Sequence, residues 1–284
     1  MEIINRRQRM ASIARKVRRE NKTIGFVPTM GALHEGHLSL VKEARQASDV
    51  VVVSIFVNPT QFGEGEDFER YPRDLTADAA LLAEYEVDYV FAPERSEIYG
   101  ENFSTYVEVE GIGDDLEGAS RPGHFRGVAT VVSILLNTIR PDFAFFGQKD
   151  GQQVAVVRRL TRDLGFETEV IAVPTVREES GLAMSSRNAY LDAETRAKAS
   201  VVFKALREAK IAFKKGERNA SRLAEMVKSI IAAEPSAEID YVAAVTRDNL
   251  QPVEKIDDVE TMIVAAVRLD RVRLIDNIVL NRKQ

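Results

Sequence analysis

Short β-branched runs alternate with segments of helical period along most of this chain of 284 residues. The apolar runs predict five strands, at Ile24–Pro28, Val50–Val57, Val87–Phe91, Asp142–Phe146 and Glu167–Val173. The segments of helical period predict four helices between them, at Gly36–Ala47, Asp74–Glu86, Gly127–Ile139 and Gln153–Leu164. Strands and helices that alternate in this way are typical of an α/β fold, in which helices cover a parallel sheet.

The opening segment is rich in arginine, but it also carries an apolar stripe. Met10, Ile13, Ala14 and Val17 follow the spacing i, i+3, i+4, i+7, which predicts a helix with a solvated basic face. An organelle transit peptide is the alternative, because such peptides are also rich in arginine. A first helix of the folded domain explains both the stripe and the charges.

After about Arg187 the pattern changes. Charged helices are predicted at Ala193–Lys215 and Ser221–Ala233, and three strands follow without helices between them, at Ile239–Val245, Thr261–Val267 and Val272–Val279. This order predicts a smaller α+β domain with an antiparallel sheet. We therefore expect two domains, 1–187 and 188–284.

The composition argues against several classes of function. The 39 basic and 44 acidic residues give a net charge of −5, which offers no general attraction for a nucleic acid. The chain has no cysteine, so thiol nucleophiles and zinc–thiolate sites are excluded. No apolar run approaches the roughly 20 residues of a membrane span and no apolar leader is present, so we expect a cytoplasmic protein without membrane contact.

The first chemical motif lies where the first predicted strand meets its helix. It runs from Pro28 to His37, and its candidate ligand contacts are Met30, Gly31, Ala32, Leu33, His34, Glu35, Gly36 and His37. Ligands of open α/β sheets bind beyond the carboxyl ends of the strands, where a helix N-terminus favours phosphate. The imidazoles of His34 and His37 can donate hydrogen bonds to a phosphate as charge develops on it. Helix capping and zinc binding are the alternatives, but the helical zinc motif spaces its histidines at i and i+4 rather than i and i+3.

A second motif follows the strand that ends at Phe146. It comprises Gly147, Gln148, Lys149 and Asp150. Lys149 is a flexible point charge suited to a polyphosphate, and Asp150 is an oxygen ligand suited to Mg²⁺. A solvated Lys–Asp pair in a turn is the simpler alternative for this motif alone, but two such turns at strand ends favour a nucleotide site.

A third motif lies at the predicted domain boundary. It comprises Met184, Ser185, Ser186 and Arg187. Its hydroxyl groups and guanidinium could cover a triphosphate and neutralise departing pyrophosphate. An ordinary polar linker is an equal alternative.

Three neutral amides complete the candidate site. Asn58 and Gln61 begin the long loop 58–73, and Gln153 begins a predicted helix. Amides can bind hydroxyl and carboxylate groups without adding charge, although surface amides are common. The polar block Arg121–Gly127, which includes His124, could contact either a ligand or a partner subunit.

Together these segments resemble the pantothenate synthetase (pantoate–β-alanine ligase) family. The resemblance lies in Pro28–Val41, Ser54–Phe62, Arg121–Val131, Gly147–Gln153, Pro174–Arg177 and Gly181–Leu191, in that order. It implies a Rossmann-like parallel sheet with helices on both faces, related to the nucleotidylyl transferases, and a smaller C-terminal lid. It also implies a homodimer that joins pantoate to β-alanine, consuming ATP and forming pantoyl adenylate as the intermediate.

The same resemblance implies roles for individual residues. ATP would contact Met30 to His37, Gly147 to Asp150, Val176 and Met184 to Arg187, with His34, His37, Lys149 and Arg187 as the catalytic groups and Asp150 as the Mg²⁺ ligand. His37 would in addition act as a proton donor. Gln61 and Gln153 would hold pantoate, with Gln61 also near β-alanine. Asn58, the third amide, is predicted to contact substrate as well. The family commonly has a tyrosine where this chain has Gly151, so we expect the following helix to begin loosely.

Two other functions share parts of this pattern. A simple nucleotidyltransferase would use the same histidine motif, but it would need no amine as a co-substrate. A nucleotide sensor or RNA-binding relative is disfavoured, because the chain shows neither an added basic domain nor aromatic residues on a basic face.

Overall fold

The computed structural model describes residues 1–257, 259–270 and 272–281, which form two compact units. Unit 1 contains Met1–Gly147 and Gln152–Val173, and unit 2 contains Gln148–Gly151 and the chain from Pro174 onward. Unit 2 therefore starts before the predicted boundary at 187/188. That boundary stays a prediction about how the chain divides into folding domains.

Unit 1 is built on a parallel sheet. Its strands are β1 (Glu2–Ile4), β2 (Ile24–Thr29), β3 (Val50–Ile55), β4 (Tyr89–Phe91), β5 (Phe143–Gly147) and β6 (Glu169–Val173). Its helices are α1 (Arg7–Arg19), α2 (Glu35–Ala47), α3 (Leu75–Ala83), α4 (Arg95–Ile98), α5 (Glu117–Ser120), α6 (His124–Ile139) and α7 (Gly151–Asp163), the last starting in unit 2. The described strands pair in the order β1-β4-β3-β2-β5-β6, all parallel, which confirms the predicted fold class.

The core of unit 1 explains why the hydrophobic pattern predicts the sheet well. Val51, Val52 and Val53 on β3 have no solvent exposure, as expected of a central strand buried on both faces. The stripe on α1 is also buried at Met10, Ala14 and Val17, so this arginine-rich segment is an element of the fold. The pattern does not predict strand β1, because this strand has three residues and only Ile4 is buried.

The strand order places a change of direction between β2 and β5. From β2 the chain adds β3 and β4 on one side, and it returns to add β5 and β6 on the other. In open parallel sheets, ligands bind at such a switch point, beyond the carboxyl ends of the strands. The candidate ligand contacts of the first two motifs start at the ends of these two strands, at Met30 and Gly147.

Unit 2 has the α+β composition that the sequence predicts. Helices α8 (Ala193–Lys214) and α9 (Ala220–Ala232) precede the antiparallel strands β7 (Ala237–Thr246), β8 (Thr261–Leu269) and β9 (Val272–Leu280). Asp192 and Asn219 cap the two helices by accepting hydrogen bonds from the backbone. Apolar side chains of both helices and all three strands form a single core. Among the described residues of the whole chain, no helix is long and apolar enough to cross a membrane.

Candidate active site

The turn between β2 and α2 has an unusual backbone. Gly31 and Ala32 both have positive φ, of 81° and 51°. The left-handed conformation costs an alanine ~1 kcal/mol, so other contacts must hold this turn. Asp78 on α3 supplies them, because its carboxylate accepts hydrogen bonds from the N–H groups of Ala32 (3.0 Å) and Leu33 (2.8 Å).

Asp78 is not among the site residues that the sequence motifs predict. It is 3% exposed, and burial raises the pKa of its carboxyl while the two N–H donors oppose that rise. A signal is present in the sequence, since Asp78 lies three residues after Leu75 and four before Leu82, on the same face of the predicted helix. An aspartate on the apolar face of a helix commonly has a specific partner, because a buried carboxylate needs hydrogen bonds.

His34 begins helix α2 and caps it. Its backbone is extended, and its Nδ1 atom accepts a hydrogen bond from the N–H of Gly36 at 3.1 Å. Helix capping is the alternative to phosphate binding, but the two roles are compatible. A neutral ring that accepts at Nδ1 carries its proton on Nε2, so the cap leaves His34 with an N–H donor.

The second imidazole lies beside the first. The ring centroids of His34 and His37 are 4.1 Å apart, with the ring planes tilted by 38°. Their spacing of three residues brings them to one side of the first helical turn. Two imidazoles so close together can contact oxygen atoms of the same phosphate.

The turn after β3 meets the turn after β2 through two predicted residues. Gln61 lies in a short 3₁₀ turn, Pro59–Gln61, and its side-chain amide donates to the sulfur of Met30 at 2.9 Å. Strands β2 and β3 are neighbours in the sheet, so their carboxyl ends bring these side chains together. The structure thus places the predicted pantoate residue Gln61 against the predicted ATP segment.

Asn58 is almost fully buried, and its side chain is hydrogen-bonded to neighbouring residues. It is 1% exposed, and its Nδ2 atom donates to the Oε1 atom of Gln61 (3.2 Å) and to the carbonyl of Gly127 (3.1 Å). Its Oδ1 atom accepts from the hydroxyl groups of Tyr99 (2.6 Å) and Thr60 (3.0 Å). Its predicted contact with substrate stays a prediction, whereas its contact with Gln61 is observed.

Arg121 and His124, whose role the sequence leaves open, hold the backbone of Gln61. The carbonyl of Gln61 accepts from His124 Nδ1 at 2.8 Å and from Arg121 at 3.3 Å. Because a carbonyl can only accept, Nδ1 carries the proton and Nε2 accepts from Arg121 at 3.1 Å. Arg121 also forms a bidentate ion pair with Glu66, at 2.7 and 2.6 Å. We call Glu66, Arg121 and His124 the Gln61 clamp.

Burial and the charges within the Gln61 clamp set the pKa values of His124 and Glu66. Burial, together with the charge of Arg121, lowers the pKa of His124 to about 4, so the ring is neutral near pH 7. Burial alone would raise the pKa of Glu66, but the hydrogen bond and charge of Arg121 outweigh it and hold that pKa below its usual value. The clamp therefore contains one cation, one anion and a neutral imidazole at neutral pH.

Acidification should destabilise the fold through His124. The pKa of His124 is near 6.5 in the unfolded chain and about 4 in the folded one, so the unfolded state binds the proton first. Going from about pH 7.5 to about pH 5.5 should then lower the free energy of unfolding by about 1 kcal/mol through this group. Urea unfolding at both pH values measures the loss, and His124→Gln should show a smaller one. An equal loss in the variant would contradict the assignment.

Two adjacent glutamines at the start of α7 have different environments. Gln152 is 6% exposed and holds the preceding loop: it accepts from the N–H of Glu117 (3.0 Å) and donates to the carbonyls of Ile112 and Asp115 (2.8 Å each). Gln153 is half-buried and takes no part in this network. Of the two, Gln153 is thus the better candidate for binding pantoate.

In unit 2, strand β9 fixes the turn that carries Lys149. Asn277 donates to the carbonyls of Gln148 (2.8 Å) and Lys149 (2.9 Å), and it accepts from the side chain of Gln148 (3.1 Å). The Nζ atom of Lys149 lies 3.3 Å from the carboxylate of Asp150, and their side chains are 19% and 44% exposed. The backbone of Lys149 is therefore held independently of its ammonium group.

Helix α7 begins at Gly151, and the loose start expected there stays a prediction. A Cβ atom at this position would lie 3.0 Å from the sulfur of Met262 and 3.2 Å from the amide nitrogen of Asn277. The missing side chain thus lets β8 and β9 pack directly against the first residue of the helix.

The third motif belongs to a loop that is tied to the rest of unit 2. Arg177 pairs with Ala183 in an isolated antiparallel bridge, and the N–H of Met184 donates to the carbonyl of Val176 at 3.0 Å. Arg177 also forms a bidentate ion pair with Asp276 on β9, at 2.6 and 3.0 Å. These contacts place Val176 and Met184, both predicted to contact ATP, on neighbouring segments.

The remaining residues of the third motif begin a short 3₁₀ helix, Ser186–Tyr190. Ser185 caps it by accepting from the N–H of Arg187 at 3.3 Å. The next residue, Asn188, is 4% exposed and donates to Glu178 (2.8 Å) and to the carbonyl of Ala183 (3.0 Å). The loop therefore has a defined conformation rather than that of a linker.

Metal clusters give no further guide to the chemistry. Within 1–257, 259–270 and 272–281, no group of three or more histidine, aspartate or glutamate side chains is arranged to hold a metal ion. A metal held by a single carboxylate together with substrate phosphates would need no such group.

Comparison with known proteins identifies the family. The sequence model of the family described as pantoate-beta-alanine ligase matches residues 2–279. Curated pantothenate synthetases of Pelotomaculum thermopropionicum and Heliobacterium modesticaldum are 50% and 52% identical to this chain, and each alignment covers 99% of it. Those alignments cover 100% and 99% of the two relatives.

Solved structures agree with the sequence comparison. The crystal structure of pantothenate synthetase from Thermus thermophilus superposes with a TM-score of 0.92 at 46% identity, covering 98% of this chain and 99% of that one. Pantoate-beta-alanine ligase from Francisella tularensis, complexed with beta-gamma ATP and beta-alanine, superposes with a TM-score of 0.80 at 37% identity, covering 98% and 97%. This chain belongs to the pantoate–β-alanine ligase family.

Proposed function

We propose that this chain joins pantoate to β-alanine in two steps, with the first motif as the centre of the first step. A carboxylate oxygen of pantoate attacks the α-phosphorus of ATP, and the bond to pyrophosphate breaks. The amine of β-alanine then attacks the acyl carbon of pantoyl adenylate, loses a proton and displaces AMP. The observation that carries the proposal is the His34–His37 pair at the start of α2, with Gln61 from the turn after β3 lying against Met30 in the turn after β2.

His34 and His37 stabilise the phosphate under attack. Negative charge grows on its oxygen atoms in the transition state, and an N–H donor already in place stabilises that charge without reorganisation. The Gly36 hydrogen bond presets the donor of His34 on Nε2. No covalent bond to the protein is required, because orientation and charge stabilisation carry the reaction.

The other predicted groups bind pantoate and the phosphate groups of ATP. Gln61 and Gln153 hold the hydroxyl and carboxylate groups of pantoate, and their neutral amides leave the carboxylate nucleophilic. Lys149 and Arg187 neutralise the triphosphate and the departing pyrophosphate. These assignments rest on the family resemblance and on the environments of the side chains within each unit.

Mg²⁺ is proposed as a cofactor, held by Asp150. The side chain of Asp150 is 44% exposed, and Asp150 comes directly after Lys149. In nucleotide sites, Mg²⁺ commonly binds one or two carboxylates together with phosphate oxygens. When bound, the ion neutralises part of the phosphate charge. A homodimer and a cytoplasmic location stay predictions, which light scattering and cell fractionation would test.

Formation of AMP tests the overall reaction. AMP should appear when ATP, pantoate and β-alanine are supplied together, and it should fall to background in steady state when either acid is omitted. A simple nucleotidyltransferase, in contrast, would transfer the adenylyl group to a phosphate-bearing substrate and release a dinucleotide, with no dependence on the amine. AMP formation that ignored β-alanine would therefore contradict the proposed ligation.

The Gln61 clamp should act on pantoate rather than on ATP. Glu66→Gln removes the charge that holds Arg121 and should raise KM for pantoate roughly tenfold, the equivalent of about 1.4 kcal/mol. KM for ATP should stay within about twofold. The matched control is Glu64→Gln, which makes the same charge change at an exposed position of the same loop. Parallel changes in both KM values would contradict this division.

A further inference from the structure

We infer that Asp78 is a positioning residue for adenylate formation, acting through the turn that carries His34. The inference rests on the proposed function, because it assigns a role to the support of the proposed phosphate site. The observation is the pairing of its two carboxylate oxygens with consecutive backbone groups: Oδ1 accepts from the N–H of Leu33, and Oδ2 from the N–H of Ala32. Both oxygens therefore act on the turn.

The turn needs this support because its backbone is unfavourable without it. Gly31 and Ala32 have positive φ values, and an L-residue such as Ala32 adopts that region only when other contacts compensate. A charged acceptor gives stronger hydrogen bonds than a neutral one. Asp78 therefore supplies the compensation from a separate helix, α3.

Close packing makes the support specific to this geometry. A Cβ atom at Gly31 would lie 2.8 Å from Oδ2 of Asp78 and 3.2 Å from a methyl group of Ile55. The carboxylate thus lies directly against the turn, with room for a glycine only. A change at either partner should move the backbone that leads into His34.

Asp78 affects the proposed reaction through the position of His34. Its extended backbone starts α2 directly after Leu33, and the direction of that backbone sets where the ring points. The N–H groups of Ala32 and Leu33 are used by Asp78, so the turn contributes orientation, while the imidazoles contact the phosphate. Loss of Asp78 should thus affect ATP more than pantoate, whose proposed ligands lie elsewhere.

The test compares Asp78→Asn with Asp74→Asn on the same helix. Asparagine at 78 replaces one acceptor oxygen by an NH₂ group that faces a backbone N–H. Asp74 caps α3 by accepting from the N–H of Ala77 at 2.9 Å and has no bond to the turn, so its variant controls for helix stability and charge. The readouts are pantoate-dependent ATP–pyrophosphate exchange, KM for ATP, KM for pantoate and the melting temperature.

Asp78→Asn should reduce the exchange rate constant about 10- to 100-fold and raise KM for ATP, leaving KM for pantoate within about twofold. Asp74→Asn should leave all three kinetic values within about twofold, even if it lowers the melting temperature. Asp78→Asn kinetics matching those of Asp74→Asn would overturn the inference. Equal changes in both KM values would also overturn it, because general destabilisation would then suffice.

Two further variants keep the result decisive. If Asp78→Asn does not fold, Gly31→Ala perturbs the same contact from the other side and should show the same selective effect on KM for ATP. Unselective kinetics of Gly31→Ala would overturn the inference.

The variant His34→Ala distinguishes a failure of the proposed role of Asp78 from a failure of the proposed phosphate site. If His34→Ala lowers the exchange rate constant by about 10²-fold or more while Asp78→Asn leaves it within about twofold, the proposed function stands and the role of Asp78 fails. If His34→Ala leaves exchange unchanged, the proposed phosphate site itself fails.

Discussion

Replacing His34 or His37 by alanine is expected to lower the rate constant for adenylate formation by roughly 10²–10³, as the loss of one oxyanion donor does in other enzymes. The two rings lie 4.1 Å apart, so each variant removes one of two neighbouring donors. Single-turnover measurements with ATP and pantoate report this step directly. Steady-state AMP formation should fall in parallel if adenylation limits turnover.

His34 needs a control, because it also caps helix α2. His34→Ala removes both the cap and the donor, whereas His34→Asn introduces one of the best capping residues and removes only the imidazole. We expect both variants to be slow and only the alanine variant to lose about 1 kcal/mol of stability. A fully active asparagine variant would show that His34 is a capping residue alone.

Replacing Lys149 by methionine is expected to lower kcat/KM for ATP by roughly 10²–10³, because an ammonium group that neutralises phosphate charge is lost. The variant should fold normally, since Asn277 holds the backbone carbonyl of Lys149 and not its side chain. KM for β-alanine should change little.

The matched control for Lys149 is Lys228→Met, which removes the same charge from an exposed position on α9. Its kinetics should equal those of the unmodified chain. If both variants lowered kcat/KM alike, the effect of Lys149 would reflect net charge. If neither did, Lys149 would have no part in binding ATP.

The hydrophobic pattern predicts the sheet because its central strands β2 and β3 are buried at nearly every position. Val50–Ile55 is apolar at nearly every position, and its neighbours in the sheet share that character. The candidate contacts of the first two motifs follow β2 and β5. This position is expected of a ligand site, because ligands of open parallel sheets bind beyond the carboxyl ends of the strands. The pattern gives no such signal for β1, in which only Ile4 is buried.

Contacts that span the chain could not be predicted from local patterns. Asp78 binds backbone N–H groups 45 and 46 residues away, and the helical period of α3 does not indicate these partners. The Lys149 turn lies in unit 2 because Asn277 binds it across 128 residues, although its sequence follows directly from β5. In the sequence, Asn58 and Gln61 are both polar residues of the same predicted loop. The structure shows that Asn58 is buried and Gln61 is half-buried.

The most direct test of the central claim is ATP–pyrophosphate exchange in the absence of β-alanine. If pantoate alone attacks ATP, labelled pyrophosphate should enter ATP when pantoate is present, and pantoate should be required. This result would place adenylate formation before the amine enters. Exchange that needs both acids, or that proceeds without pantoate, would contradict the two-step account.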